Sequence, residues 1–273
     1  MMGLGVAAKT GARSREAMMP PMRVSIELVP RDEADLRSQV DEALCLGPRV
    51  AITNLPDLLR FDLRSWDAAT VAREHARRSG RDLTAVPHLR AMDVELERPW
   101  RPAERVRAAG ISHVIVVQGD PPVDMRHAVT GASSLEVIAK LRREHPDWTI
   151  YAALDPYRQG IAPERDYALR KLEAGADGFF TQPFFDLRLM GAWRDLLPDV
   201  PVFWGVTSVT SVRSMHYWTA RNRAVFPNGF APTLAWHQRF AADVVRFGEE
   251  HDADLYFMPI RVGIGDWLGD LFA

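Results

Sequence analysis

From Arg23 onward, short runs rich in β-forming residues alternate with stretches that repeat apolar residues at helical spacing. This alternation constrains the fold more than any single motif. Parallel neighbours need a long return connection, so a strand–helix alternation builds a parallel sheet covered by helical crossovers. The expected strands are 24–29, 50–54, 83–89, 113–117, 149–154, 178–181, 202–206 and 255–260. The helices expected between and after them are 32–46, 68–78, 102–109, 133–144, 164–174, 187–196 and 212–220, with a short last helix through Leu268. An insertion at 226–248, opening with Pro227-Asn228-Gly229, adds a further amphipathic helix before the last strand. An open doubly wound sheet is the rival arrangement. Eight consecutive units without a sheet-edge signal favour closure, because a barrel has no edges to protect. The expectation is a single-domain (β/α)8 TIM barrel over residues 22–273, preceded by a disordered leader at 1–21.

Composition agrees and excludes several classes. With 47 % hydrophobic residues in 273, the chain can fill a large core. A formal net charge of −2 makes no case for nucleic acid or an anionic membrane surface. The arginines are interleaved with Asp and Glu along helices, as on solvated helix faces. Cys45 is the only cysteine, which rules out an intramolecular disulfide, a CxxC pair and a cysteine-based zinc site, and fits a reducing cytoplasm. No apolar run approaches the ~18–20 residues of a membrane span. In the leader, the apolar stretch 3–8 is too short for a signal-peptide core. Gly3-Leu4-Gly5-Val6-Ala7-Ala8 matches a dinucleotide fingerprint in letters only, since no strand precedes it.

Chemistry-bearing residues fall at expected strand ends, which in βα barrels form the catalytic rim. Gln118-Gly119-Asp120-Pro121-Pro122 follows the apolar run Val114–Val117 and sets a carboxylate at a turn. Asp120 there serves either chemistry or the capping of local amides. Glu27 interrupts another strand, and period-two alternation groups Ser25, Glu27 and Val29 on one face. If Ile26 and Leu28 pack under helices, Glu27 points into the barrel. It would then tend to stay protonated as a general acid, or form an ion pair with an inward Arg. Gln182 ends the sixth strand, with a planar amide suited to a heteroaromatic edge. Phe184 and Phe185 beside it would make a stacking wall or simply core. His88 follows Pro87 without a second His at ligand spacing, so no metal site is expected. Arg261 closes the last strand, where barrels often bind anions, and Gly263-Ile264-Gly265-Asp266 opens the last helix. There is no Gly-x-Ser-x-Gly elbow, and Cys45 lies inside a predicted helix.

Taken in order, these residues resemble the methylenetetrahydrofolate reductase family. Ser25-Ile26-Glu27-Leu28-Val29-Pro30 is similar to its Ser-Phe-Glu-Phe-Phe-Pro, and Pro87-His88-Leu89 to its Pro-His-Leu-Thr. Gln118–Pro122 is similar to its Arg-Gly-Asp-Pro-Pro, 174–177 to Ala-Gly-Ala-Asp, and 181–186 to Thr-Gln-x-Phe-Phe-Asp. The resemblance covers most of 23–262 and implies a barrel that reduces methylenetetrahydrofolate with hydride from a nicotinamide. It assigns Glu27 as proton donor to the departing folate nitrogen and Asp120 as the carboxylate that stabilises the iminium cation. Gln182, Phe184, Asp120 and Arg261 become folate contacts. Thr53, His88, Gln118, Gly119, Ala132, Leu154, Arg158, Arg170 and Lys171 fall where the family holds flavin and nicotinamide. Three of these positions depart from the family: its Arg becomes Gln118, its Tyr becomes Leu154 and its His becomes Arg158. Those departures imply a flavin-free branch with NADH as direct hydride donor; the rivals are transfer through bound FAD and a non-redox pterin-binding barrel that transfers a one-carbon unit or binds folate for regulation.

Overall fold

The computed structural model describes residues 22–122 and 128–272. The leader expected at 1–21 lies outside the described residues. Eight strands, β1 (Val24–Glu27), β2 (Val50–Leu55), β3 (Thr84–Arg90), β4 (His113–Val117), β5 (Thr149–Leu154), β6 (Gly178–Thr181), β7 (Val202–Thr207) and β8 (Asp254–Met258), pair in parallel. They follow sequence order around a closed barrel in which β8 returns to β1. The (β/α)8 architecture is as expected, and the open sheet is excluded.

Nine α-helices are described: α1 (Glu33–Cys45), α2 (Ser65–Arg78), α3 (Ala103–Ala108), α4 (Ser134–Glu144), α5 (Ile161–Glu173), α6 (Leu187–Leu196), α7 (Val212–Asn222), α8 (Leu234–His251) and α9 (Ile264–Leu268). Many start on a side-chain cap. Asp32 accepts from the Asp35 amide, Asp186 from Arg188, Ser211 from Ser214 and Thr233 from Trp236. Ser133 and Glu136 close a reciprocal capping box on α4. The insertion before β8 supplies α8, which runs to His251, past the expected 248.

Two apolar layers result from strand alternation. Ile52, Val86, Ile115, Tyr151, Phe180, Phe203, Tyr256 and Met258 fill the barrel interior. Val24, Ile26, Leu28, Val114, Val116 and Leu154 belong to the shell between strands and helices. Gly205 on β7 is required by close packing, since a Cβ there would collide with the Thr181 carbonyl of β6.

Candidate active site

The C-terminal ends of the strands carry the polar residues. Ile26 and Leu28 are fully buried in the outer shell, which turns Glu27 inward. The Tyr256 hydroxyl, from the neighbouring last strand, donates to Glu27 Oε2. Burial pushes the Glu27 carboxyl up from 4.5 to about 7, against the opposing pull of the Tyr256 hydrogen bond. Glu27 nevertheless keeps some solvent contact, at the floor of a cavity of about 1050 Å³. Arg31, Arg60, Arg213, Arg261 and Tyr217 are among the residues around it. No inward arginine pairs with Glu27 among the described residues, so the ion-pair alternative has no partner.

Asn54 stands opposite Glu27 in the β1–β2 register, and its buried amide reaches the Tyr256 hydroxyl. Thr53 pairs with Ile26 and Ala85, both in the outer shell, so it faces the helices. Asn54, not Thr53, therefore shares the interior with Glu27. His88 is in register with the interior residue Ile115 on the next strand. Its Nε2 is buried without a partner, and burial lowers its pKa to about 3, which leaves a neutral ring.

Asp120 occupies the same end of the barrel but the opposite arc of the rim. Its side chain is 87 % exposed and approaches Arg221 at 4.0 Å. Arg90 holds its backbone: the guanidinium, only 8 % exposed, bonds to Asp93 at 2.9 Å and donates to the Asp120 carbonyl at 2.8 Å. Gly119 has φ 85° and lies against the Arg90 side chain, a conformation and a fit that suit glycine. Helix α7 joins the two arcs, because Arg213 and Tyr217 face the cavity while Arg221 reaches toward Asp120. A separate cavity of about 280 Å³ lies behind Arg90, against Trp66 and Trp100.

The remaining expected positions divide. Gln182 is exposed on the rim after β6. Phe184 is fully buried in the shell against Trp204, with ring centroids 5.7 Å apart, so it is core and not a stacking wall. Arg261 lines the cavity, but β8 ends at Met258; Arg261 sits in the following loop at φ 59° and does not close the strand.

The positions assigned to the flavin region are largely engaged elsewhere. Gln118 donates to the Ala132 carbonyl and accepts from the Ser134 amide, tying its loop to α4. Leu154 is fully buried in the outer shell. Arg158 bonds to the buried Glu164 at 2.7 Å and lies over the Tyr167 ring. Lys171 donates to the Ala153 carbonyl at 2.5 Å, and burial lowers its pKa to about 8. Arg170 is exposed in the last turn of α5, beside Tyr167. Within this set, Gln118, Arg158 and Lys171 are held by the protein's own backbone and carboxylates.

Sequence reasoning missed Tyr256, Asn54 and Arg90. The first two are polar residues ending or interrupting apolar strand runs, the same signal that singled out Glu27.

A family model described as methylenetetrahydrofolate reductase matches residues 65–252. The chain belongs to the methylenetetrahydrofolate reductase family. As a member, it is an oxidoreductase of methylenetetrahydrofolate. It is also similar to a 5,10-methylenetetrahydrofolate reductase of Pectobacterium carotovorum subsp. carotovorum, 25 % identical over 220 residues, covering 76 % of this chain and 71 % of the relative. The matched family span contains Asp120 and Gln182, while Glu27 and Arg261 fall outside it.

Among solved structures, the chain is similar to an oxaloacetate acetylhydrolase with the product oxalate, at TM-score 0.56 and 12 % identity over 87 % of this chain and 75 % of the other. It is similar also to thiamine phosphate pyrophosphorylase from Pyrococcus furiosus, at TM-score 0.50 and 13 % identity over 92 % of each chain. These two likenesses concern the barrel fold alone. Among the described residues, no helix is long and apolar enough to cross a membrane, and no three His, Cys, Asp or Glu side chains gather as metal ligands.

Proposed function

We propose that this chain reduces 5,10-methylenetetrahydrofolate to 5-methyltetrahydrofolate with hydride taken directly from NADH. The observation that carries this reading is Glu27, a carboxyl poised near neutrality at the floor of the cavity. Reduction consumes one hydride and one proton. Glu27 supplies the proton to the folate nitrogen that departs as the five-membered ring opens. The nitrogen left bearing the methylene carbon becomes an iminium cation, and hydride from the nicotinamide adds to that carbon, leaving NAD⁺ and the methyl product. A general acid in place typically contributes about 10²–10⁴-fold to such a step.

Asn54 beside Glu27, and His88 on the interior face of β3, offer neutral polar groups suited to the edges of a pterin or a carboxamide. Asp120, on the far arc, provides negative charge toward the cation once bound substrate displaces water from the rim. Direct transfer is supported by the engagement of Gln118, Leu154 and Arg158 within the protein. Both substrates must then be held together, so their relative orientation carries much of the rate.

Purified protein should show no flavin band in its visible spectrum. It should oxidise NADH only when methylenetetrahydrofolate is present, and Glu27→Gln should lose about 10²-fold or more in turnover while folate still binds. A stoichiometric flavin band would defeat direct transfer, and a full-rate Glu27→Gln enzyme would defeat the proton-donor role.

A further inference from the structure

We infer that Arg31, Arg60 and Arg213 join Arg261 in an anion subsite that receives the multiply charged tail of a substrate. The inference rests on the proposed reaction and deepens it. All four residues line the cavity above Glu27. They come from separate segments: the loops after β1 and β2, the first turn of α7 after β7, and the loop after β8. Since β7, β8, β1 and β2 are consecutive around the barrel, the four guanidiniums form one continuous arc of the rim.

Their convergence on one cavity sets them apart. Several other arginines are ion-paired, as in Arg23–Asp254, Arg64–Asp57, Arg142–Asp177 and Arg158–Glu164. Among the described residues, no guanidinium of the arc has a carboxylate partner, and Arg60 lies only over the Phe61 ring at 4.9 Å. The nearby acid Asp35 is already spent, accepting from the Arg31 amide and from Gln39. Besides Glu27 and Asp35, Glu42 is the one other acid on the lining, so cations outnumber carboxylates there.

A concave cleft with an excess of one charge gathers the opposite charge. Guanidinium forks match carboxylate and phosphate oxygens in pairs. Tyr217, 57 % exposed on the same wall, offers a ring face for an aromatic body attached to that charge. The ligand chemistry is therefore an aromatic group ending in two or more anionic charges. In this reaction that describes both the glutamate tail of the folate and the pyrophosphate of the dinucleotide.

Calorimetric titration of the whole chain separates these sources, using tetrahydrofolate with one and with three glutamates, and ADP-ribose as the pyrophosphate probe. The wild type should bind the triglutamate more tightly than the monoglutamate, with affinity falling as salt rises. The folded Arg31→Gln/Arg213→Gln double variant should lose about tenfold in triglutamate affinity, and with it the advantage over monoglutamate. A loss confined to ADP-ribose would sustain the subsite and assign it to the pyrophosphate. Arg143→Gln removes the same charge from the last turn of α4, at the other end of the barrel, and should leave every affinity unchanged. Unchanged binding of all three ligands to the double variant would overturn the inference. Because the titration needs no turnover, a chain that binds the tail without oxidising NADH would refute the proposed reaction and leave the subsite standing.

Discussion

At the scale of single residues, the proposed proton donor Glu27 sets the pH at which the proposed reaction should run. In the proposed mechanism its protonated form is the donor, and burial raises its pKa to about 7. Activity that depends on it should therefore be full below that value and fall as pH rises through it. The Tyr256 hydroxyl donates to the carboxylate and so favours the charged form. Replacing it in Tyr256→Phe should move the alkaline limb of the pH–kcat/KM profile to higher pH, and a limb moved downward would show that the hydroxyl acts otherwise. Glu27 was legible in the sequence because period-two alternation between Ile26 and Leu28 leaves it one direction to face. Tyr256 and Asn54 were not, since which side chains meet across a barrel depends on the stagger between strands. Thr53 and Asn54 look equivalent in the sequence, and only the pairing of Glu27 with Asn54 separates them.

Among the secondary-structure elements, departures from expectation occur where distant groups end or extend a helix or strand. Helix α2 begins at Ser65, three residues earlier than expected, because Asp57 accepts from the Ser65 amide and the Ser65 hydroxyl bonds to the His88 carbonyl. Neither partner is visible in a local motif. Helix α5 begins at Ile161, since Pro163 in a first turn forfeits an amide that would be unbonded there anyway. Strand β8 stops at Met258, just before Pro259, which lacks the amide needed to continue the ladder. The loop after β4 depends on Arg90 in the same non-local way. Because Arg90 acts through the Asp120 backbone, it is a positioning residue. In a double-mutant cycle, Arg90→Met and Asp120→Asn should each lower kcat, and the pair together should be little worse than Asp120→Asn alone. Strictly additive losses would show that Arg90 does not work through Asp120.

For the molecule as a whole, closure rests on the seam between first and last strands. Arg23 and Asp254 lock it with a forked ion pair, and the Arg23 amide donates to Asp254 Oδ1 at 2.9 Å. Asp254 is 16 % exposed on its side chain, so removing it strands partly buried donors. Asp254→Ala should cost roughly 1–3 kcal/mol, read as a lower Tm in thermal melts, with the earliest hydrogen exchange in β1 and β8. An unchanged Tm would mean that packing alone holds the seam. The closed fold itself was legible, because eight successive strand–helix units leave no edge strand to protect. The two-arc division of the rim was not, because it depends on which rim loops the side chains of α7 reach, which helical periodicity does not specify.

The contact between Glu27 and Tyr256 spans 229 positions of sequence. A growing polypeptide therefore presents Glu27 long before the hydroxyl that contacts it. Until the final strand docks, Glu27 lacks the full burial that raises its pKa, so chains cut short of Tyr256 should lack the proposed donor.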